Sequence, residues 1–304
     1  MSTQNQTADA ASRSEASAYS LQPTAYSLAR SRAALAALRA HWPEYLIEAW
    51  ALGMFMVSAG LFATLFGWPG SPLPESLKAP LAARVCVGIA MGLTAIALIY
   101  SPWGQRSGAH MNPAVTLTFL RLGKVKPWDA AFYVLAQFIG GTIGVFLVIA
   151  LLRDAFTAQP VNYAATLPGT QGVAVAVVAE LVISALLIFV ILAAANSLRY
   201  AKLAGVFAGV LVATYISLES PLSGMSMNPA RTFASAFPGG IWTAFWIYLT
   251  APVIGMQLGA AVYAVVIGRR VPGCAKVIHG KRQRCIHCGY EPPERSGQES
   301  GVSG

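Results

Sequence analysis

The residues with the clearest capacity for chemistry are two copies of one short pattern, Asn112-Pro113-Ala114 and Asn228-Pro229-Ala230. Asn favours the position just before a helix, where its side-chain oxygen accepts a backbone N–H of the first turn. Pro suits the first helical position, because it has no N–H to lose and its φ is already helical. With the oxygen engaged, each amide NH2 is left free to donate elsewhere. Two such donors, backed by the positive ends of two helices, attract the oxygen of water or an alcohol and repel a cation. A water that accepts from both donors cannot relay a proton along a file. Arg231 follows Asn228 by one helical turn and can share its face. A lone Asn-Pro is a common turn dipeptide. Two copies, each after an apolar run and before a short helical pattern, argue for a site.

A second cluster lies near the C-terminus, which holds three of the four cysteines: Cys274, Cys285 and Cys288. With His279 they make a closed Cys3His set for a tetrahedral zinc, and His287 is a substitute for His279. A reducing cytosol favours metal over disulfide. A tail this short and polar has no core, so a metal would be what folds it. The other reading is a basic tail with incidental cysteines. Cys86, alone in an apolar run, reads as a small buried residue. No nucleophile–base pair stands out, which argues against an enzyme.

These groups need a scaffold, and composition says which kind. Of 304 residues, 56% are hydrophobic and 11% charged, against roughly 25% charged in a soluble domain. The expected solvent is therefore a lipid bilayer. Six stretches are long enough to cross it, at about 45–67, 80–101, 127–152, 172–196, 201–219 and 242–268. Two shorter helical patterns, 113–121 and 229–237, reach only to mid-depth. The halves repeat. Glu48 and Glu180 lie in the first and fourth spans, and Gly-xxx-Gly pairs match between spans 2 and 5 (Gly88/Gly92, Gly205/Gly209) and between spans 3 and 6 (Gly140/Gly144, Gly255/Gly259). With three spans per half, the second copy must insert upside down. The expected fold is an all-α membrane protein: six transmembrane helices plus two re-entrant half-helices in an inverted 3+3 repeat. Residues 1–43 are expected to be disordered and then interfacial, with Leu28, Leu35, Leu38 and Trp42 on one helical face. Residues 44–270 form the membrane domain and 271–304 the tail. No signal peptide is expected.

The net charge of +9 needs no nucleic-acid partner, because the basic residues sit in loops and tails. Seventeen of the 21 Lys and Arg fall on the side of the termini, which places both termini in the cytoplasm of a plasma (inner) membrane protein.

Ser107-Gly-Ala-His-Met-Asn-Pro-Ala-Val-Thr116 and Ser223-Gly-Met-Ser-Met-Asn-Pro-Ala-Arg-Thr232 resemble the paired signature loops of the aquaporin, or major intrinsic protein, family. The likeness covers about residues 44–270. It implies a homotetrameric channel for water and small uncharged solutes that needs no cofactor for transport. It also implies that the two half-helices meet end to end, that Arg231 lines an outer constriction, and that Glu48, Glu180 and His110 support the loops. A proton relay through the glutamates is the alternative, but no second titratable chain accompanies them.

By the family pattern, the constriction falls on Gly92 or Met91, Ile216, Met225 and Arg231. Water-selective relatives carry an aromatic at the first place and often His at the second. The ring here is wide and apolar, which points beyond water to glycerol-like solutes. Thr232 after the arginine and Ala236 instead look like water-channel features, while Tyr248 and Leu249 are mixed. Two other classes remain open: an ion-coupled secondary transporter, or a channel whose zinc-binding tail serves regulation or partner docking.

Overall fold

The computed structural model describes residues 3–268, 273–280 and 284–292, with side chains from residue 27 onward. The expected boundary at 270–271 lies outside the described residues. Eight helices of nine or more residues are described: α1 (Thr3–Gly67), α2 (Pro80–Tyr100), α3 (Pro113–Arg121), α4 (Pro127–Leu152), α5 (Val173–Ala195), α6 (Ala204–Leu218), α7 (Pro229–Gly239) and α8 (Phe245–Val266). Proline supplies the start signal four times, as the first residue of α2, α3, α4 and α7. Gly240, at φ 64°, ends α7 in the left-handed conformation that glycine takes without strain.

Six of these helices, with α1 counted from Ser27 and α6 from Ala201, are long and apolar enough to cross a membrane. The other two, α3 and α7, have 9 and 11 residues and reach only about halfway, at roughly 1.5 Å per residue. The side chains confirm a lipid solvent, because the helices are apolar on the outside as well. In α4, Leu135, Ile139, Ile143, Phe146 and Leu147 are exposed, while Tyr133, Gln137, Gly140 and Gly144 are buried. Such a face would be unfavourable in water. It suits a bilayer, where lipid tails are as apolar as the side chains.

The chain divides into two compact units, Met1–Trp42 and Pro43–Gly304. Within the first, the backbone is already helical from Thr3, over a stretch whose composition suggests disorder. The alanines there are strong helix formers. Leu28, Leu35 and Trp42 are exposed on that helix. The described tail residues belong to the second unit, with the spans.

Glycines set the packing of that unit. A Cβ on Gly140 or Gly144 would collide with the carbonyls of Ala49 and Gly53 in α1. In the other half, one on Gly255 or Gly259 would collide with those of Leu181 and Ala185 in α5. Between α2 and α6, a Cβ on Gly88 would lie 2.6 Å from the Ala213 carbonyl, and one on Gly92 2.6 Å from that of Gly209. Small residues thus let backbones touch in three helix pairs, as membrane packing requires in place of a hydrophobic drive.

Gly140→Val should therefore lower the thermal stability of the purified protein in detergent, at a cost of about 3 kcal/mol, the upper end for overpacking, because the obstacle is backbone. Ile139→Val, on the outer face, should leave the melting temperature nearly unchanged.

Candidate functional site

The site is built by two loops that are not helical and yet lie among buried residues. Residues 108–112 and 224–228 run into α3 and α7, each after a short helical turn (Pro102–Ser107 and Ser220–Ser223). Ala109, Met111, Met225 and Met227 hold φ between 48° and 53°, a left-handed conformation that costs a non-glycine residue about 1–3 kcal/mol. Such backbone must find partners for its N–H groups.

One carboxylate per loop provides them. Glu48 Oε1 accepts from the His110 N–H at 3.1 Å and from the Ser107 hydroxyl at 2.7 Å, and its Oε2 accepts from the Met111 N–H at 2.7 Å. Glu180 repeats the arrangement with Ser226, Ser223 and Met227, each at 2.7 Å. Both glutamates are fully buried. Tyr133 donates to the Ser107 carbonyl at 2.8 Å, and Tyr248 to the Ser223 carbonyl at 2.6 Å.

Each asparagine caps its helix, Asn112 Oδ1 accepting from Ala114 N and Asn228 Oδ1 from Ala230 N and Arg231 N. The amide nitrogens then cross over. Asn112 Nδ2 donates to the Met227 carbonyl and Asn228 Nδ2 to the Met111 carbonyl, both at 2.7 Å. This corrects the expectation that the whole NH2 is free: one hydrogen of each amide ties the two loops together, and the other remains.

Both asparagines line a cavity of about 170 Å³, together with Met91, Ile216, Met225, Arg231 and His110. The Arg231 Nη1 is buried and makes no hydrogen bond among the described residues. Of the two candidates in α2, Met91 lies on the cavity wall. Gly92 is turned to the Gly209 backbone of α6, where only a hydrogen fits.

Residues 38–263 match the family described as Major intrinsic protein. The chain belongs to that family. A probable aquaporin of the NIP type from Nicotiana alata is 37% identical over 185 residues, 60% of this chain and 65% of the relative. The putative aquaporin NIP4-1 of Arabidopsis thaliana is 38% identical over 184 residues, 60% of this chain and 62% of the relative. The chain thus spans less than two thirds of the length of these curated relatives. In fold it is similar to the aquaglyceroporin from Plasmodium falciparum, with TM-score 0.63, 20% identity, and coverage of 76% of this chain and 98% of that one.

The tail lies beyond the residues matched to the family. Cys274, His279, Cys285 and Cys288 come together, their ligand atoms all within 4.8 Å of one another. His287 is elsewhere. Its Nε2 lies 3.2 Å from the Ser107 carbonyl and its ring stacks on His110 at 5.8 Å. Burial, with His110 beside it, pushes the His287 ring down to about 4, so it is neutral. The hydrogen bond from Cys274, aided by the backbone N–H groups of Cys288 and His287, holds the Cys285 thiol well below its ordinary range despite burial. The four residues have the donor set of a structural zinc site.

Sequence reasoning missed the supporting serines and tyrosines. A signal existed, because Tyr133 and Tyr248 each stand seven residues before the first glycine of matching Gly-xxx-Gly pairs. Glu180→Gln replaces an acceptor oxygen with an NH2 that must face a backbone N–H. It should cost roughly 3 kcal/mol, read as a lower melting temperature in detergent. Tyr248→Phe, which removes one hydrogen bond, should cost about 1 kcal/mol.

Proposed function

We propose that this chain is a passive channel for water and small uncharged solutes, glycerol among them, that refuses ions and protons and needs no cofactor for transport. One observation carries the reading: the two asparagine amides are tied to each other's loops at 2.7 Å and line a single cavity. A permeant at that point meets donors from both half-helices, so its oxygen accepts and its hydrogens are turned away from one another. A cation meets two positive helix ends and the Arg231 guanidinium.

The breadth of the permeant is supported by Met91, Ile216 and Met225, which with Arg231 make an apolar wall with one donor. An alkyl chain can lie against the methionines and isoleucine while its hydroxyls face Arg231 Nη1. The ion-coupled transporter is disfavoured. Among the described residues lining the cavity, only His110 and Arg231 are ionisable; of the four buried glutamates, Glu48 and Glu180 are used up by loop donors, and Glu44 and Glu219 do not line the cavity. Coupling needs a group that changes charge during the cycle.

The reading includes cytoplasmic termini in a plasma (inner) membrane, supported by the basic residues on the terminal side. It also includes a homotetramer, supported by the family resemblance. The apolar outer faces would be shared between lipid and neighbouring copies.

Stopped-flow on proteoliposomes tests the permeant. Glycerol should enter along with water through the full chain once a chelator has removed any metal from the tail. Met91→Phe combined with Ile216→His should lower the glycerol-to-water ratio by roughly tenfold, a barrier of about 1.4 kcal/mol. Rapid water flux with glycerol excluded from the unaltered protein would overturn the broad filter.

A further inference from the structure

The tail is seated on the pore. The Val277 N–H donates to the Gly108 carbonyl at 3.2 Å, and Lys276 Nζ donates to the Gln105 carbonyl at 2.9 Å. His110 Nε2 lies 2.8 Å from the Ala275 carbonyl; a carbonyl only accepts, so the ring carries its hydrogen there. On the other arm, Arg284 pairs with the buried Glu44 at 3.8 Å. Ala275, Lys276 and Val277 are buried by these contacts. Gln105, Gly108 and His110 fall on the stretch leading to Asn112, at the terminal-side mouth, and Glu44 lies in α1.

Val277 has a special place. It lines the cavity that holds the two asparagines, and it also lines a second cavity of about 380 Å³ formed by the tail and residues 195–202. Its side chain is thus a partition between the pore and the cleft on the tail side.

What holds this partition is the Cys/His cluster, since residues 274–288 include no helix or sheet of their own among those described. Cys274 Sγ lies 3.3 Å from Cys285 Sγ, and His279 Nε2 3.2 Å from Cys288 Sγ. A tetrahedral zinc with bonds of about 2.3 Å sets sulfurs about 3.8 Å apart, within the 3.2–4.8 Å span of these atoms. Three thiolates around a divalent ion leave one negative charge, and the buried Lys276 ammonium neighbours the cluster in sequence and space.

We propose that Cys274, His279, Cys285 and Cys288 bind a zinc ion, and that the zinc-folded segment 275–278 is a removable stopper that closes the terminal-side mouth through Val277. Loss of the metal removes the cross-link that joins the described tail residues, the segment leaves its seat, and the pore opens to the cleft. The stopper rests on the channel reading above; the metal site does not.

The experiment uses the full chain in proteoliposomes under a phosphine reductant. Metal analysis should find one zinc per chain in the unaltered protein, retained in Val277→Gly and lost in the double variant Cys285→Ser/Cys288→Ser. Stopped-flow water permeability should be low with zinc and rise by roughly tenfold with a membrane-permeant chelator, in the double variant, or in zinc-loaded Val277→Gly. No bound zinc would overturn the metal site. Zinc bound with the same high permeability in every sample would overturn the stopper and leave the channel reading standing. Permeability no higher than empty vesicles in every sample, with zinc bound and helical content intact, would overturn the channel reading and the stopper together.

Discussion

Backbone that is neither helix nor sheet cannot lie bare at membrane depth, because each unpaired N–H there costs several kcal/mol. The whole architecture follows from how this chain meets that constraint. Its two irregular loops carry consecutive N–H groups inward, and one buried carboxylate per loop accepts them. The left-handed residues Ala109, Met111, Met225 and Met227 are tolerable only because those hydrogen bonds over-determine the path. The carboxylates in turn are tolerable at full burial only because their oxygens are saturated. Neither half of this exchange is stable alone.

The same exchange places the chemistry. A loop fixed by Glu48 or Glu180 delivers its asparagine to a helix start, where the side-chain oxygen is consumed by the cap and one amide hydrogen by the opposite loop. What remains is one donor per asparagine, aimed by bonds on every other side. Selectivity then needs no moving part in the centre. Fixed donors cost no reorganisation when a permeant arrives, which is why preorganised dipoles act strongly in a dry cavity. The glycine contacts of α1 with α4, of α5 with α8 and of α2 with α6 hold the frame rigid around them.

The two halves are not equal, and the tail exploits the difference. Ser226 turns its hydroxyl inward to the Asn228 carbonyl and Thr232. At the matching position His110 is longer. It reaches Thr116 with one nitrogen and the Ala275 carbonyl with the other. The first loop therefore presents an outward donor and an open carbonyl at Gly108, and the tail fills both. The inverted repeat gives two matching mouths, and His110, standing where the other half has Ser226, gives one of them a contact for the tail.

Much of this was legible in the residues. Hydropathy located the spans, the short length of 113–121 and 229–237 set their depth, and Asn-Pro marked helix starts, because span length and capping are local properties of the chain. The internal repeat, too, is visible as spacing, and it could have yielded Tyr133 and Tyr248. What only the tertiary structure decided lies between segments far apart in sequence. It turned Gly92 away from the cavity and Met91 towards it, used half of each asparagine's donors on the facing loop, chose His279 over His287 for the cysteine cluster, and set Val277 between two cavities. No local pattern encodes these, because each depends on which backbone group another element happens to leave unpaired within hydrogen-bond reach.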